Sequence, residues 1–246
     1  MNLDFNYQDL DFIQVRNDSI KIIENQLWAN KGHTMNEGMV SPDKKYFYLN
    51  IPKNSSSFVK DQLILLGWEF SKFNDHPSST PIIILRDPIN RWISGITEYM
   101  FMYHLSTVDK ICEPFNYDFY PLVGESLGLS LLFERMTFDD HTERQCVFLK
   151  DIPPFDKCIW VNMGSGFSDR LSSLLTELGY PNTIQSAKPI NTSDGSNFGT
   201  VGYKKQAFKK FLEFIISKDL FKQYNLTQWF WCDTEVMNKV KFYEPR

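Results

Sequence analysis

The sequence is short of several things. Its four cysteines, Cys112, Cys146, Cys158 and Cys232, stand far apart. None belongs to a CxxC pair or to a cysteine–histidine spacing of the kind that holds zinc, so no zinc site is expected, and reduced, buried thiols are the expectation. Basic charge is not in surplus: 26 Lys and Arg against 30 Asp and Glu leave a net charge of -4. That argues against a general nucleic-acid binder. No apolar run is long enough to span a bilayer, and even Ile82 to Leu85 is only strand-length. Met1 to Asp11 is polar and acidic, without the apolar core of a signal peptide. These absences together predict a soluble, cytoplasmic protein with no membrane span. The nucleotide loop GxxxxGK[ST] is missing as well, which disfavours an ATP or GTP hydrolase. Neither internal repeats nor low-complexity tracts occur.

What is present suits one sizeable α/β domain over 1–246. Apolar residues make up 42% of the chain and aromatics 15%, enough for a core at this length. Residues 1–45 read as polar and irregular. Tyr46 to Ile51 and Ile82 to Leu85 read as buried strands, Trp68 to Phe73 and Cys158 to Val161 as shorter ones. Helices are expected over Ser55 to Gly67, Asn90 to His104, Ser126 to Arg135, Phe167 to Leu178 and Tyr203 to Ser217, with loops over 105–125 and 181–202. Strands alternating with helices predict a three-layer fold: a central, mostly parallel sheet with helices on both faces.

Two stretches stand out. In each, an apolar strand ends abruptly in a cation and small polar residues, and a helix follows. The first is Pro52-Lys53-Asn54-Ser55-Ser56-Ser57 and the second Arg86-Asp87-Pro88-Ile89-Asn90-Arg91-Trp92-Ile93-Ser94. A helix N-terminus offers free amides and a favourable dipole to an anion, and small hydroxyl residues let the backbone come close. Lys53 supplies a point charge; Arg86 supplies a fork that, with the Ser94 hydroxyl, can orient one phosphate. Asp87 and Arg91 are placed to pair with each other. Two such stretches suit a ligand carrying phosphate at both ends.

In these two stretches the chain resembles the sulfotransferases that use 3′-phosphoadenosine-5′-phosphosulfate (PAPS), in particular the carbohydrate branch. Pro52-Lys53-Asn54-Ser55-Ser56-Ser57 resembles that family's 5′-phosphosulfate loop, with Asn54 and serines replacing its usual threonine and small residues. Arg86 to Ser94 matches every fixed position of its RDPxxRxxS motif. The close match covers 46–104, which the resemblance makes a nucleotide-binding core. The resemblance implies a P-loop-like sulfotransferase fold and PAPS as co-substrate without a metal. It also implies a hydroxyl acceptor, a small molecule or a saccharide, and more a saccharide than a phenol. Lys53 would meet the 5′-phosphosulfate, Asn54, Ser55, Ser56 and Ser57 would cradle the 5′-phosphate, and Arg86 and Ser94 would hold the 3′-phosphate.

The acceptor hydroxyl needs a base. The family's base, a His or Glu, commonly falls between the two motifs, where Glu69, Asp75 and His76 are the candidates; His76 is favoured, because it would follow a strand's C-terminal end and has a near-neutral imidazole. His141 competes, in a His141-to-Gln145 segment resembling one downstream of the second motif in the carbohydrate branch. Other readings are a nucleotide or small-molecule kinase, and a relative that binds nucleotide without turnover. Lys204-Lys205 and Lys209-Lys210 read as the solvated face of a helix. Trp229-Phe230-Trp231 and the aromatics around Tyr117 to Tyr120 read as packing.

Overall fold

The computed structural model describes residues 36–103, 137–180, 205–206, 208–210, 212–213 and 229–245. The loops expected over 105–125 and 181–202, the helix expected over Ser126 to Arg135, and Cys112 lie outside them. So does part of the helix expected over Tyr203 to Ser217.

Among the described residues the first hydrogen-bonded strands are β1 (Glu37–Val40) and β2 (Tyr46–Leu49), followed by α1 (Ser56–Leu65). Then come β3 (Glu69–Lys72), β4 (Thr80–Leu85) and α2 (Pro88–Tyr103). Further on lie β5 (Ile159–Asn162), α3 (Phe167–Glu177) and α4 (Trp231–Lys239). Short 3-10 turns occupy Phe73–Asp75, Gln145–Leu149 and Phe155–Lys157. The five strands form one sheet in the order β3-β1-β2-β4-β5. β2, β4 and β5 pair in parallel, whereas β1 runs antiparallel to both β2 and β3. Four strands therefore point the same way, but two of the four pairings are antiparallel. The sheet is mixed, where the sequence reading expected a mostly parallel one.

The reversed strand is the element the sequence reading missed, since it treated 1–45 as irregular. β1 is four residues long and contains Gly38, a poor strand former in isolation. Contact demands the glycine: a Cβ there would fall 1.9 Å from the Tyr48 carbonyl oxygen and 2.6 Å from the Phe47 ring.

Alternation along the strands divides the core. Ile82 and Ile84 of β4 face one side with Tyr48, Val59 and Leu63 of α1 and Leu171, Leu174 and Leu175 of α3. Ile83 and Leu85 face the other with Phe47, Leu49, the Gln145–Leu149 turn and Val236 of α4. Aliphatic residues on both faces of β4 are what a central strand covered on both sides requires. Trp229 to Trp231 do pack: Phe230 is buried with its ring 6.5 Å from Trp92, and Trp229 lies 4.1 Å beneath the Arg144 guanidinium. Among the described residues no helix is long and apolar enough to cross a membrane.

Candidate anion-binding site

The ends of β2 and β4 are neighbours in a parallel pair, so the turns that leave them are neighbours too. The first turn needs no glycine, because Lys53 and Ser55 themselves adopt left-handed backbone, with φ of 68° and 57°. For residues bearing a Cβ this costs roughly 1–2 kcal/mol each, so something must hold the turn. Two arginines do. Arg91 Nε donates to the Pro52 carbonyl at 2.9 Å and Arg86 Nη1 to the Lys53 carbonyl at 3.2 Å. Asn54 completes the restraint from beneath, its Nδ2 donating to the Ile84 carbonyl and to Gln145 Oε1, each at 2.7 Å.

Past the turn, α1 begins at Ser56, and its first i to i−4 bond is Val59 N–H to the Ser55 carbonyl. The amides of Ser56, Ser57 and Phe58 fall before that bond and are available to an anion. Ser55 and Ser56 are half-buried and Ser57 is exposed, so all three can be reached. Asn54 has no surface open to solvent. Its expected place in the phosphate cradle is thus taken by a structural tie, through which it shapes the turn.

The second turn is capped conventionally. Asp87 Oδ1 accepts the Asn90 N–H at 2.8 Å, and Pro88 opens α2 where its missing donor costs nothing. The expected Asp87–Arg91 pair gives way to this cap. Arg91 is fully buried and spends its fork on backbone: besides Pro52 it donates to the carbonyls of Glu143 and of Asp140, the latter at 3.2 Å. Burial lowers its guanidinium to about 10, with Asp233 and Glu143 opposing the shift. Gln145 braces Arg86 from both sides, accepting its amide at 3.0 Å and donating to its carbonyl at 2.8 Å. Asp233 of α4 in turn caps the Gln145 and Cys146 amides at 2.9 and 2.8 Å.

Helical spacing puts Arg91, Ser94 and Glu98 on one face of α2. Arg91 meets Pro52 and Glu98 meets Lys53, so half-buried Ser94 lies on the face turned to the first turn. Glu98 Oε2 accepts Lys53 Nζ at 3.3 Å and Lys205 Nζ at 2.9 Å. Burial lowers the Lys53 ammonium below the usual lysine range, an effect Glu98 offsets. Burial alone would raise the Glu98 carboxyl, but the two lysines outweigh it and hold it low. Arg86 is likewise lowered by burial, with Asp87 opposing. The helix face carrying Lys205 and Lys209 is therefore not simply solvated: Lys205 is tied to Glu98, and Lys209 is half-buried within electrostatic reach of Arg86 and Lys53.

The two histidines lie in different surroundings. His76 rests on the sheet face, its Nε2 2.9 Å from Ser71 Oγ and its ring 6.2 Å from Phe47. Among the described residues nothing ties it to Lys53. His141 lies in the segment folded onto α2, where a Cβ on Gly95 would stand 2.0 Å from its carbonyl oxygen. His141 Nδ1 meets Asp139 Oδ2 at 2.8 Å and Asp140 Oδ1 at 3.2 Å. Arg91 bonds the Pro52 carbonyl on one side and the Asp140 and Glu143 carbonyls on the other, which puts this segment beside the first turn. The structure thus brings together Lys53, Ser55, Ser56, Ser57, Arg86, Ser94 and the His141 segment, and leaves His76 aside.

Among the described residues two groups have ligand atoms within 4.8 Å of one another, Asp139/Asp140/His141 and Cys146/Cys232/Asp233. Asp233 already uses both oxygens as backbone caps. No family model, no curated protein and no solved structure matches the chain.

Proposed function

We propose that the protein transfers a sulfuryl group from PAPS to a hydroxyl acceptor, on a P-loop-like sulfotransferase fold. The observation that carries this reading is the convergence, at the ends of adjacent parallel strands, of two strand-to-helix turns that bear Lys53 and Arg86. They are bonded to each other through Arg86 and the Lys53 carbonyl. Order along the chain supports it too, since β2, Lys53 and α1 precede β4, Arg86 and α2, as in the sequence motifs of that family. A saccharide acceptor rests on the resemblance alone.

In this reaction the acceptor oxygen forms a bond to sulfur as the bond from sulfur to the bridging phosphate oxygen breaks. The departing electron pair stays on that oxygen, giving adenosine 3′,5′-bisphosphate. Positioning and charge neutralisation supply most of the rate in such in-line displacements. Lys53 and the first amides of α1 neutralise the leaving phosphate, and Arg86 with Ser94 holds the 3′-phosphate. The hydroxyl proton goes to His141 Nε2, since Nδ1 is engaged by Asp139 and Asp140. A carboxylate behind Nδ1 fixes the ring and stabilises the imidazolium.

The test is radiolabel transfer from PAPS across a panel of sugars and phenols, with calorimetry of adenosine 3′,5′-bisphosphate beside it; absence of both transfer and binding rejects the reading. Arg86→Ala is expected to weaken the bisphosphate about tenfold or more while changing adenosine 5′-monophosphate little. Equal losses for the two nucleotides would remove Arg86 from the 3′-phosphate. His141→Ala is expected to cut turnover by roughly 10²- to 10⁴-fold with nucleotide affinity unchanged, and His76→Ala to leave turnover intact. The reverse pattern in steady-state assays would make His76 the base.

A further inference from the structure

We infer that Lys209 is an anion-binding residue of this site and closes, with Arg86, on the phosphate remote from Lys53. The inference uses the two-phosphate reading to choose its probe, but its basis is the placement of one helical stretch. Phe208 and Leu212 are fully buried and seat that stretch against the body of the protein. Lys205 pins its polar face to the site, bonding Glu98 at 2.9 Å with its ammonium 5.6 Å from the Phe101 ring. Lys209 lies one helical turn on, on the same face, so it projects beside its anchored neighbour. The charges acting on it are those of the site: Arg86 most strongly, then Lys53, with Lys205 in the same sense and Glu213 opposing.

Lys209 makes no ion pair with a described carboxylate, unlike Lys53 and Lys205, which share Glu98. A half-buried ammonium within electrostatic reach of Arg86 and Lys53 and without a bonded acid is unfavourable by itself. Burial and these like charges push it down to about 8. A dianion between Lys209 and Arg86 satisfies both and restores the proton to Lys209. Lys205 already stands with Lys53 at Glu98, so Lys209, one turn further along that face, is assigned to the other end of the site, a placement with which the nearby charge of Arg86 agrees.

Lys209 must carry its proton to bind, so affinity is full below about 8 and falls as pH rises through that value. Lys53 is lowered as well, so the comparison is made against an arginine variant that keeps its charge at position 209.

The test titrates the full chain with adenosine 3′,5′-bisphosphate, adenosine 5′-monophosphate and inorganic pyrophosphate from pH 7 to 9. Lys209→Ala is expected to weaken the bisphosphate about tenfold, the monophosphate under about threefold. Lys209→Arg should restore affinity and make it flatter with pH than the wild type. A wild type that binds the bisphosphate, with Arg86→Ala weakening it and Lys209→Ala not, overturns the inference and leaves the proposed function standing. Pyrophosphate binding that depends on Lys209 without bisphosphate binding would keep the anion site and reject the proposed function. Binding of neither anion rejects both.

Discussion

Lys53→Ala is expected to lower turnover by roughly 10³-fold while the protein stays folded. The expectation rests on the three things Lys53 does. It is the cation at the head of the first turn, it lies beside the His141 segment, and it is held ready by Glu98 rather than buried in the core. Neutralising charge on a leaving oxygen in a site partly closed to water is among the largest single contributions to such rates, and removing one preorganised group costs roughly 10²- to 10³-fold in comparable sites. Stability should change little, because Glu98 keeps Lys205 at 2.9 Å and an alanine accepts the same left-handed backbone no worse than lysine. Single-turnover transfer from PAPS separates this effect from binding. Turnover within a few-fold of the wild type would take Lys53 out of the chemistry.

Arg91→Ala should be the most destabilising single change at the site, by about 3–5 kcal/mol, the usual cost of removing one member of a buried charged network. The side chain is fully buried and bonds three carbonyls from two segments, Pro52 on one side and Asp140 and Glu143 on the other. Its loss leaves a cavity and three acceptors without their donor, and it lets the strained Lys53 turn relax. Set against a typical total stability of about 5–15 kcal/mol, this leaves the fold marginal. Arg91→Lys should recover little, since one ammonium cannot reproduce a three-way fork. The midpoint of urea unfolding gives the answer; a shift worth under about 1 kcal/mol would mean that the two loops are held by something else.

These two residues also show how much the sequence displayed. The strand–turn–helix pairs were legible because aliphatic runs such as Ile82 to Leu85 end sharply in Arg86 and Pro88, and local chemistry decides such boundaries. Gly67 and Gly179 likewise stand at the helix ends the sequence reading proposed, with φ of 77° and 88°. What could not be read was long-range. β1 exists because Gly38 lets its backbone approach Tyr48, a fact about a neighbouring strand. The role of Arg91 depends on carbonyls 39, 49 and 52 residues away, so pairing it with nearby Asp87 was the natural local expectation. Asn54 has the composition of a phosphate loop, but the Gln145 side chain draws it inward. The lysines at 205 and 209 follow the spacing of an exposed helix face. Only Glu98, seven positions past Arg91 on α2, reveals that this face turns to the site.

Diffraction from crystals grown with adenosine 3′,5′-bisphosphate would locate the ligand outright. One phosphate is expected against Lys53 and the amides of Ser56 to Phe58, and the other against Arg86 and Ser94, within a single nucleotide. Density for the nucleotide elsewhere on the sheet, or with only one phosphate at these turns and the other in solvent, would contradict it.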